Sequence, residues 1–247
     1  MPLIDLSHPL ESGMPVYPGD PEVCLSSALR NDDDGVAVSR LDLGSHAGTH
    51  LDAPAHVVAG GATVDQLPLK WLCGRAMVLQ CSQPEVRLLT VDDLGGLAKA
   101  QGSGITPPPL PLIVCIATGW DQYFGTESMI EHPAVSLDLA QVLWACGTRV
   151  LALDTLSPDP TARLPETGSP AAGGSASGAP DPGVAGPDDA VLNTAMPVHE
   201  FWLGNGGVIV ENLRGLTTLP GIVELSLLPL QIRGGDGSPI RAVARVD

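Results

Sequence analysis

Three short runs decide the fold: Leu112-Ile-Val-Cys-Ile-Ala-Thr118, Ser136-Leu-Asp-Leu-Ala-Gln-Val-Leu-Trp-Ala-Cys-Gly147 and Arg149-Val-Leu-Ala-Leu-Asp154. The first and third are short, continuously apolar and rich in branched residues, the pattern of strands buried on both faces. Between them, Ser136 can cap a helix whose Leu139, Val142, Leu143 and Cys146 fall at i, i+3, i+4 and i+7, and Gly147 closes it. Strand, helix, strand in this order predicts a βαβ crossover with parallel pairing, so the chain is read as α/β. Outward from this unit, Val36–Asp42 and Ala76–Cys81 read as strands, while Thr90-Val-Asp-Asp-Leu opens a further helix that Gly102 ends. Gly207–Leu213, Val223–Arg233 and Pro239–Val246 read as mostly antiparallel β structure. Pro15–Pro21 is a turn-rich loop.

The 247 residues carry 12 Lys+Arg against 28 Asp+Glu, a net charge of −16, which gives no electrostatic case for nucleic acid or an anionic membrane as partner. At 44% hydrophobic and 16% charged the chain can bury a sizeable core, built from aliphatic residues because aromatics are 3%. Five cysteines without CxxC spacing read as reduced core residues of a cytoplasmic protein. Met1–Leu10 lacks a basic n-region and an unbroken apolar stretch, and nowhere do 18 apolar residues run together, so neither a signal peptide nor a membrane span is expected. From Pro158 to Ala190, 23 of 33 residues are Pro, Gly, Ala or Ser, a composition that reads as a surface insertion and not a domain.

Chemistry concentrates in Ser45-His-Ala-Gly-Thr-His-Leu-Asp-Ala-Pro-Ala-His56. His46, His50, Asp52 and His56 all sit at even positions and would share one face of an extended chain. Fully extended, however, His46 and His50 would lie roughly 13 Å apart, too far for one ion with ligand distances of about 2 Å. The backbone must therefore curl, which Gly48 permits. Imidazole with carboxylate suits Zn²⁺, with Mn²⁺ or Fe²⁺ as further candidates. Thr49, His8 and His132 are read as structural. Glu211 interrupts the strand-like Val208-Ile-Val-Glu, where either a metal or an exposed strand edge would accommodate a carboxylate. His199, between Pro197 and Phe201, is left undecided by its surroundings, and Asp154, Ser157 and Asp159 are read as supporting residues just past a strand. No Gly-x-Ser-x-Gly elbow and no Gly-rich phosphate loop is present, which removes serine-hydrolase, kinase and dinucleotide readings.

His46-Ala-Gly-Thr-His-Leu-Asp-Ala-Pro-Ala-His56 resembles the HxGTHxDxPxH signature of the metal-dependent cyclase family, which includes bacterial kynurenine formamidases, isatin hydrolases and related amide and lactone hydrolases. The likeness extends to Met14-Pro-Val-Tyr-Pro-Gly-Asp20, Thr118-Gly-Trp-Asp121, His132-Pro133, Asp154-Thr-Leu-Ser-Pro-Asp-Pro160 and the segment from His199 to Leu213. It implies one α/β domain of the swivelling β/β/α type with a mixed sheet over residues 1–247. It further implies two divalent ions, with zinc preferred and manganese as the other candidate: His46, His50 and Asp52 hold one, Asp52 reaches the second, His199 is a ligand of the second, and Glu211 is a bridging carboxylate. His56 takes the family's general acid/base position, and Tyr17 stands where kynurenine formamidases carry a Trp against the substrate ring, able to stack there itself. The expected function is hydrolysis of N-formylkynurenine to kynurenine and formate. A cyclic amide or lactone hydrolase, or a metal-binding scaffold without turnover, stands as the alternative, and the family implies a homodimer or larger assembly.

Overall fold

The computed structural model describes residues 2–82, 87–94, 97, 109–161 and 196–246. Along the described chain the strands are β1 (Leu3–Asp5), β2 (Cys24–Leu29), β3 (Val38–Asp42), β4 (His50–Asp52), β5 (Cys73–Gln80), β6 (Leu88–Leu89), β7 (Ile113–Ala117), β8 (Ala134–Val135), β9 (Val150–Leu153), β10 (Val208–Glu211), β11 (Ile222–Ser226), β12 (Gly237–Pro239) and β13 (Val243–Arg245). Nine of them form one curled mixed sheet in the order β1-β13-β11-β5-β7-β9-β10-β4-β12. The centre, β5-β7-β9-β10, is parallel, and both flanks are antiparallel.

β7 and β9 are parallel neighbours buried on both faces, as their unbroken apolar runs predict. Alternation divides their side chains between two cores. Ile113, Cys115, Ala117, Val150 and Ala152 face one side, with Leu51, Val210 and Val223. Val114, Ile116, Leu151 and Leu153 face the other side, against Leu139 and Leu143 of the Leu137–Ala145 helix and Val198 and Trp202 of the Pro197–Gly204 helix. Ser136 Oγ accepts the Leu139 N–H at 3.2 Å, which makes it the N-cap that the sequence indicates.

Three expectations change. β10 is antiparallel only to β4 and pairs in parallel with β9, because the helix before it returns the chain to the same end of the sheet as β9. The acidic start after Thr90 forms a single 3₁₀ turn, Val91–Asp93, in which the Asp93 carboxylate accepts both the Thr90 N–H and O–H; most of the expected helix up to Gly102 lies outside the described residues. Of the five cysteines, Cys115 and Cys146 are buried, Cys81 is half-buried and Cys24 and Cys73 are exposed, so they are not all core residues. Cys24 opens β2, in a two-stranded ribbon with β3 that stands exposed apart from the main sheet. The Pro158–Ala190 insertion lies, from residue 162 onward, outside the described residues. No helix among the described residues is long and apolar enough to cross a membrane.

Candidate metal centre

Strand β4 supplies the first ligand group. Within it His50 and Asp52 are two residues apart and so project to the same face, and both are buried. His46 joins them because the chain turns before the strand: Gly48 takes φ +63°, a left-handed conformation that suits glycine, and an added Cβ there would meet Leu10 and Met14 at 3.0 and 3.1 Å. The curl demanded by the spacing is therefore made at Gly48. Thr49 secures it, donating its hydroxyl to the Asn212 carbonyl at 2.6 Å and accepting the His8 N–H at 2.9 Å. After the strand, Pro54–His56 forms a 3₁₀ turn that brings His56 back over His46, their ring centroids 4.0 Å apart.

The second group comes from across the sheet. β10 pairs with β4 so that Glu211 lies opposite His50. His199, on the helix preceding β10, aims its Nε2 at Glu211 Oε1 at 3.3 Å and at Asp52 Oδ2 at 3.7 Å. His50 Nε2 lies 3.3 Å from Asp52 Oδ1 and 3.2 Å from Glu211 Oε2. The structure thus brings His46, His50, Asp52, His199 and Glu211 together. They form two clusters with ligand atoms within 4.8 Å of one another, His46/His50/Asp52 and Asp52/His199/Glu211, sharing Asp52.

Hydrogen bonds fix how two of the rings face. His50 Nδ1 meets the Gly48 carbonyl at 2.8 Å, an oxygen that only accepts, so Nδ1 carries the proton and Nε2 points into the cluster. His199 Nδ1 is held at 2.8 Å by the buried Asp159 carboxylate, which also accepts the backbone N–H of Val198 at 2.9 Å and of His199 at 3.0 Å. Asp159 is in turn braced by Ser157, whose Oγ accepts its N–H. Asp154, one strand-end away, accepts the Thr118 N–H and O–H and the Gly119 N–H, while burial pushes its carboxyl up to about 6.

Two carboxylate oxygens inside the cluster, Asp52 Oδ2 and Glu211 Oε1, are buried and accept no well-formed hydrogen bond, although His199 Nε2 approaches them at 3.7 and 3.3 Å. Anionic oxygens so poorly satisfied at the shared edge of two His/carboxylate groups are an expensive arrangement for a protein alone and the expected one around cations. The electrostatics agree. Burial opposes charge on His50 and His199, yet Asp52 and Glu211 (joined by Asp159 for His199) hold both imidazoles well above their ordinary range. Asp52, against its burial, is held well below the carboxylate range by those same histidines. Protons occupy here the positions that a metal ion would take, since ligation requires these rings to be deprotonated. His56 differs: burial first, then the neighbouring His46 and His199, lower its pKa, so it is neutral near pH 7.

Tyr17 is half-buried beside this cluster. Burial and the Glu211 charge raise its phenol pKa, and Thr161 hydrogen-bonds it, while the Thr161 hydroxyl also meets His132 Nε2 at 2.8 Å. His132 Nδ1 faces the Pro133 carbonyl, and His8 stacks on Phe124 with centroids 3.8 Å apart. One residue escapes sequence reasoning altogether. Asp236, in Gly234-Gly-Asp-Gly237, places Oδ2 2.9 Å from His46 Nε2 and 3.5 Å from His56 Nδ1. Its position among glycines signals only a turn; the pairing of β12 with β4 is what delivers it. A cavity of about 510 Å³ lined by Lys70, Arg75, Leu112 and Ile222 lies at the opposite ends of β5 and β7 and shares no residue with this cluster.

The Cyclase family model matches residues 4–160. A kynurenine formamidase of Salinibacter ruber (strain DSM 13855 / M31) is 32% identical over 99% of this chain and 98% of its own length. The corresponding protein of Geobacillus thermodenitrificans (strain NG80-2) is 28% identical over 99% and 97%. Among solved structures, an isatin hydrolase bound to the product analogue thioisatinate superposes with a TM-score of 0.74 at 23% identity, over 99% of this chain and 92% of that one.

Proposed function

The chain belongs to the Cyclase family, and from that premise we propose that it is a binuclear metal-dependent hydrolase that converts N-formylkynurenine and water to kynurenine and formate. It is a hydrolase of non-peptide C–N amide bonds, as its full-length likeness to kynurenine formamidases indicates. The observation that carries the metal reading is the pair of buried oxygens that accept no well-formed hydrogen bond, Asp52 Oδ2 and Glu211 Oε1, where two ligand clusters meet. His46, His50 and Asp52 would hold one ion, and Asp52, His199 and Glu211 the second. Zinc fits the mixed imidazole and carboxylate set, with manganese as the alternative. When bound, such ions polarise the scissile carbonyl and acidify a water molecule.

His56 does the proton transfer. Neutral near pH 7 and lying over His46 at the edge of the cluster, it takes a proton from the attacking water and passes it to the departing aryl amine. One C–N bond breaks, one C–O bond forms, and the amine leaves neutral. Tyr17 offers a ring to the substrate's aromatic side while its hydroxyl is engaged with Thr161. We assign the protein to a homodimer or larger homo-oligomer, supported by the exposed β2–β3 ribbon, whose Val38 and Leu41 are 45% and 62% accessible and which, among the described residues, no main-sheet strand pairs. Two exposed free thiols, Cys24 and Cys73, suit a reducing compartment such as the cytoplasm.

The test is a panel of N-formylkynurenine, isatin and a simple lactone, assayed with zinc, with manganese and after chelation. Fastest turnover of formylkynurenine, lost on chelation, is expected. Preference for isatin or the lactone would reassign the substrate to a cyclic amide or ester. No turnover of any of them with two ions bound would leave a metal-binding scaffold.

A further inference from the structure

The Asp236 loop reaches both ends of the metal motif. Asp236 Oδ1 accepts the Ser45 hydroxyl at 3.0 Å, its backbone carbonyl accepts the Ala53 N–H at 2.8 Å, and Oδ2 faces both His46 Nε2 and His56 Nδ1. Directly after it, Gly237 lies against the His46 ring: an added Cβ would stand 2.5 Å from His46 Cε1 and 3.0 Å from either ring nitrogen. The imidazole is therefore packed against both the Gly237 backbone and the His56 ring. Packing restrains the ring plane, and the partners of its two nitrogens choose between the two flips that this plane allows. Nε2 is committed to Asp236, and Nδ1 lies 2.6 Å from Asp52 Oδ1.

The other two histidines have the opposite arrangement, with Nδ1 committed to Gly48 or Asp159 and Nε2 facing inward. We infer that Asp236 is the positioning residue of this site, making His46 present Nδ1 to the first ion while His50 and His199 present Nε2, and turning His56 so that its Nε2 is left for substrate. The inference rests on the metal-hydrolase reading for the presence of the ion, and on the geometry above for the choice of nitrogen. An anion at this place has a chemical reason. A carboxylate accepting the Nε2–H of a ligating imidazole fixes its tautomer and raises its basicity toward the ion. The same carboxylate oxygen facing His56 Nδ1 sets the second ring by the same rule.

The experiment uses the full chain loaded with zinc and labelled with ¹⁵N histidine. Long-range ¹H–¹⁵N spectra report which nitrogen of each ring carries the metal. Metal at Nδ1 of His46 and at Nε2 of His50 and His199 is expected. Asp236→Ala should weaken the ion held by His46, His50 and Asp52 by about 10- to 100-fold in chelator competition, with the Asp52/His199/Glu211 ion little changed. Asp236→Asn, whose side-chain oxygen can still accept from His46 Nε2, should recover most of that affinity, and it covers the case in which the alanine variant folds poorly. Metal at His46 Nε2 in the parent, or an Asp236→Ala affinity within twofold of the parent, would overturn the inference. Should the nitrogen pattern be found while no amide or lactone is hydrolysed, the assignment of Asp236 stands and the proposed activity falls.

Discussion

Removing the Asp159 carboxylate tests how the second ligand group is built. In Asp159→Ala three donors lose their acceptor: the backbone N–H groups of Val198 and His199 and His199 Nδ1. Val198 and His199 are 0% and 2% accessible, so the two amides cannot turn to solvent where they stand. A buried donor left without a partner costs about 1–3 kcal/mol, which puts the two amides together at about 2–6 kcal/mol, the lower end applying where water enters the vacated space. For a chain of this size about 4 kcal/mol corresponds to a fall in Tm of about 8–16 °C. That loss should appear in chelator-treated protein, because it belongs to the start of the Pro197–Gly204 helix and not to the ion. With zinc present a second deficit should add to it, since His199 is no longer held with Nε2 inward and affinity for the Asp52/His199/Glu211 ion drops about 10- to 100-fold. Thermal denaturation with and without zinc separates the two. A metal-free Tm within 2 °C of the parent would refute the assignment of Asp159 as the acceptor for this helix start.

His56→Ala should keep both ions yet slow the chemical step by about 10² to 10⁴, whereas His50→Ala should lose metal and activity together; metal analysis beside turnover distinguishes them. Gly237→Ala should displace the His46 ring, since its Cβ would stand 2.5 Å from Cε1, costing about 1–3 kcal/mol and lowering occupancy of the first ion in chelator competition. Metal-free stability should depend on pH in a stated direction. His50 and His199 have folded pKa values raised above 6.5, so their contribution is complete below pH 6.5 and is lost as pH rises through the folded values. Asp52, depressed below 3.8, contributes above that pH and loses its contribution as pH falls through its folded value. Chelated protein should accordingly melt lower at pH 8.5 than at pH 6, and added zinc should raise Tm more at the higher pH; the reverse order would sink this account.

The parallel centre of the sheet was legible because β7 and β9 are buried on both faces and their sequences carry no polar interruption. The helix between them was legible through Ser136 and the spacing of Leu139 and Leu143. Strand β10 was legible as a strand but not in its pairing, since the three-residue apolar run Val208–Val210 has the same appearance beside a parallel or an antiparallel neighbour. Within the site, His46, His50 and Asp52 could be read as a group from Gly48 and the even spacing. The pairing of Glu211 with His50 depends on the register of β10 against β4, strands more than 150 residues apart, which no local pattern encodes. Asp236 is the extreme case. Its loop looks like a turn, and only the β12–β4 pairing reveals that it faces two histidines of the motif.

The strand order also has a consequence for chain continuity. Residues 2–161 contribute β1, β5, β7, β9 and β4 to the main sheet, and residues 196–246 contribute β13, β11, β10 and β12. Strands from the two halves alternate, so five of the eight pairings in the sheet join one half to the other. The Asp52/His199/Glu211 cluster likewise draws on both. A backbone break engineered between residues 165 and 190 would therefore leave two polypeptides that have no complete sheet apart. They should co-purify when expressed together, and zinc, clasped from both sides, should tighten their grip on each other.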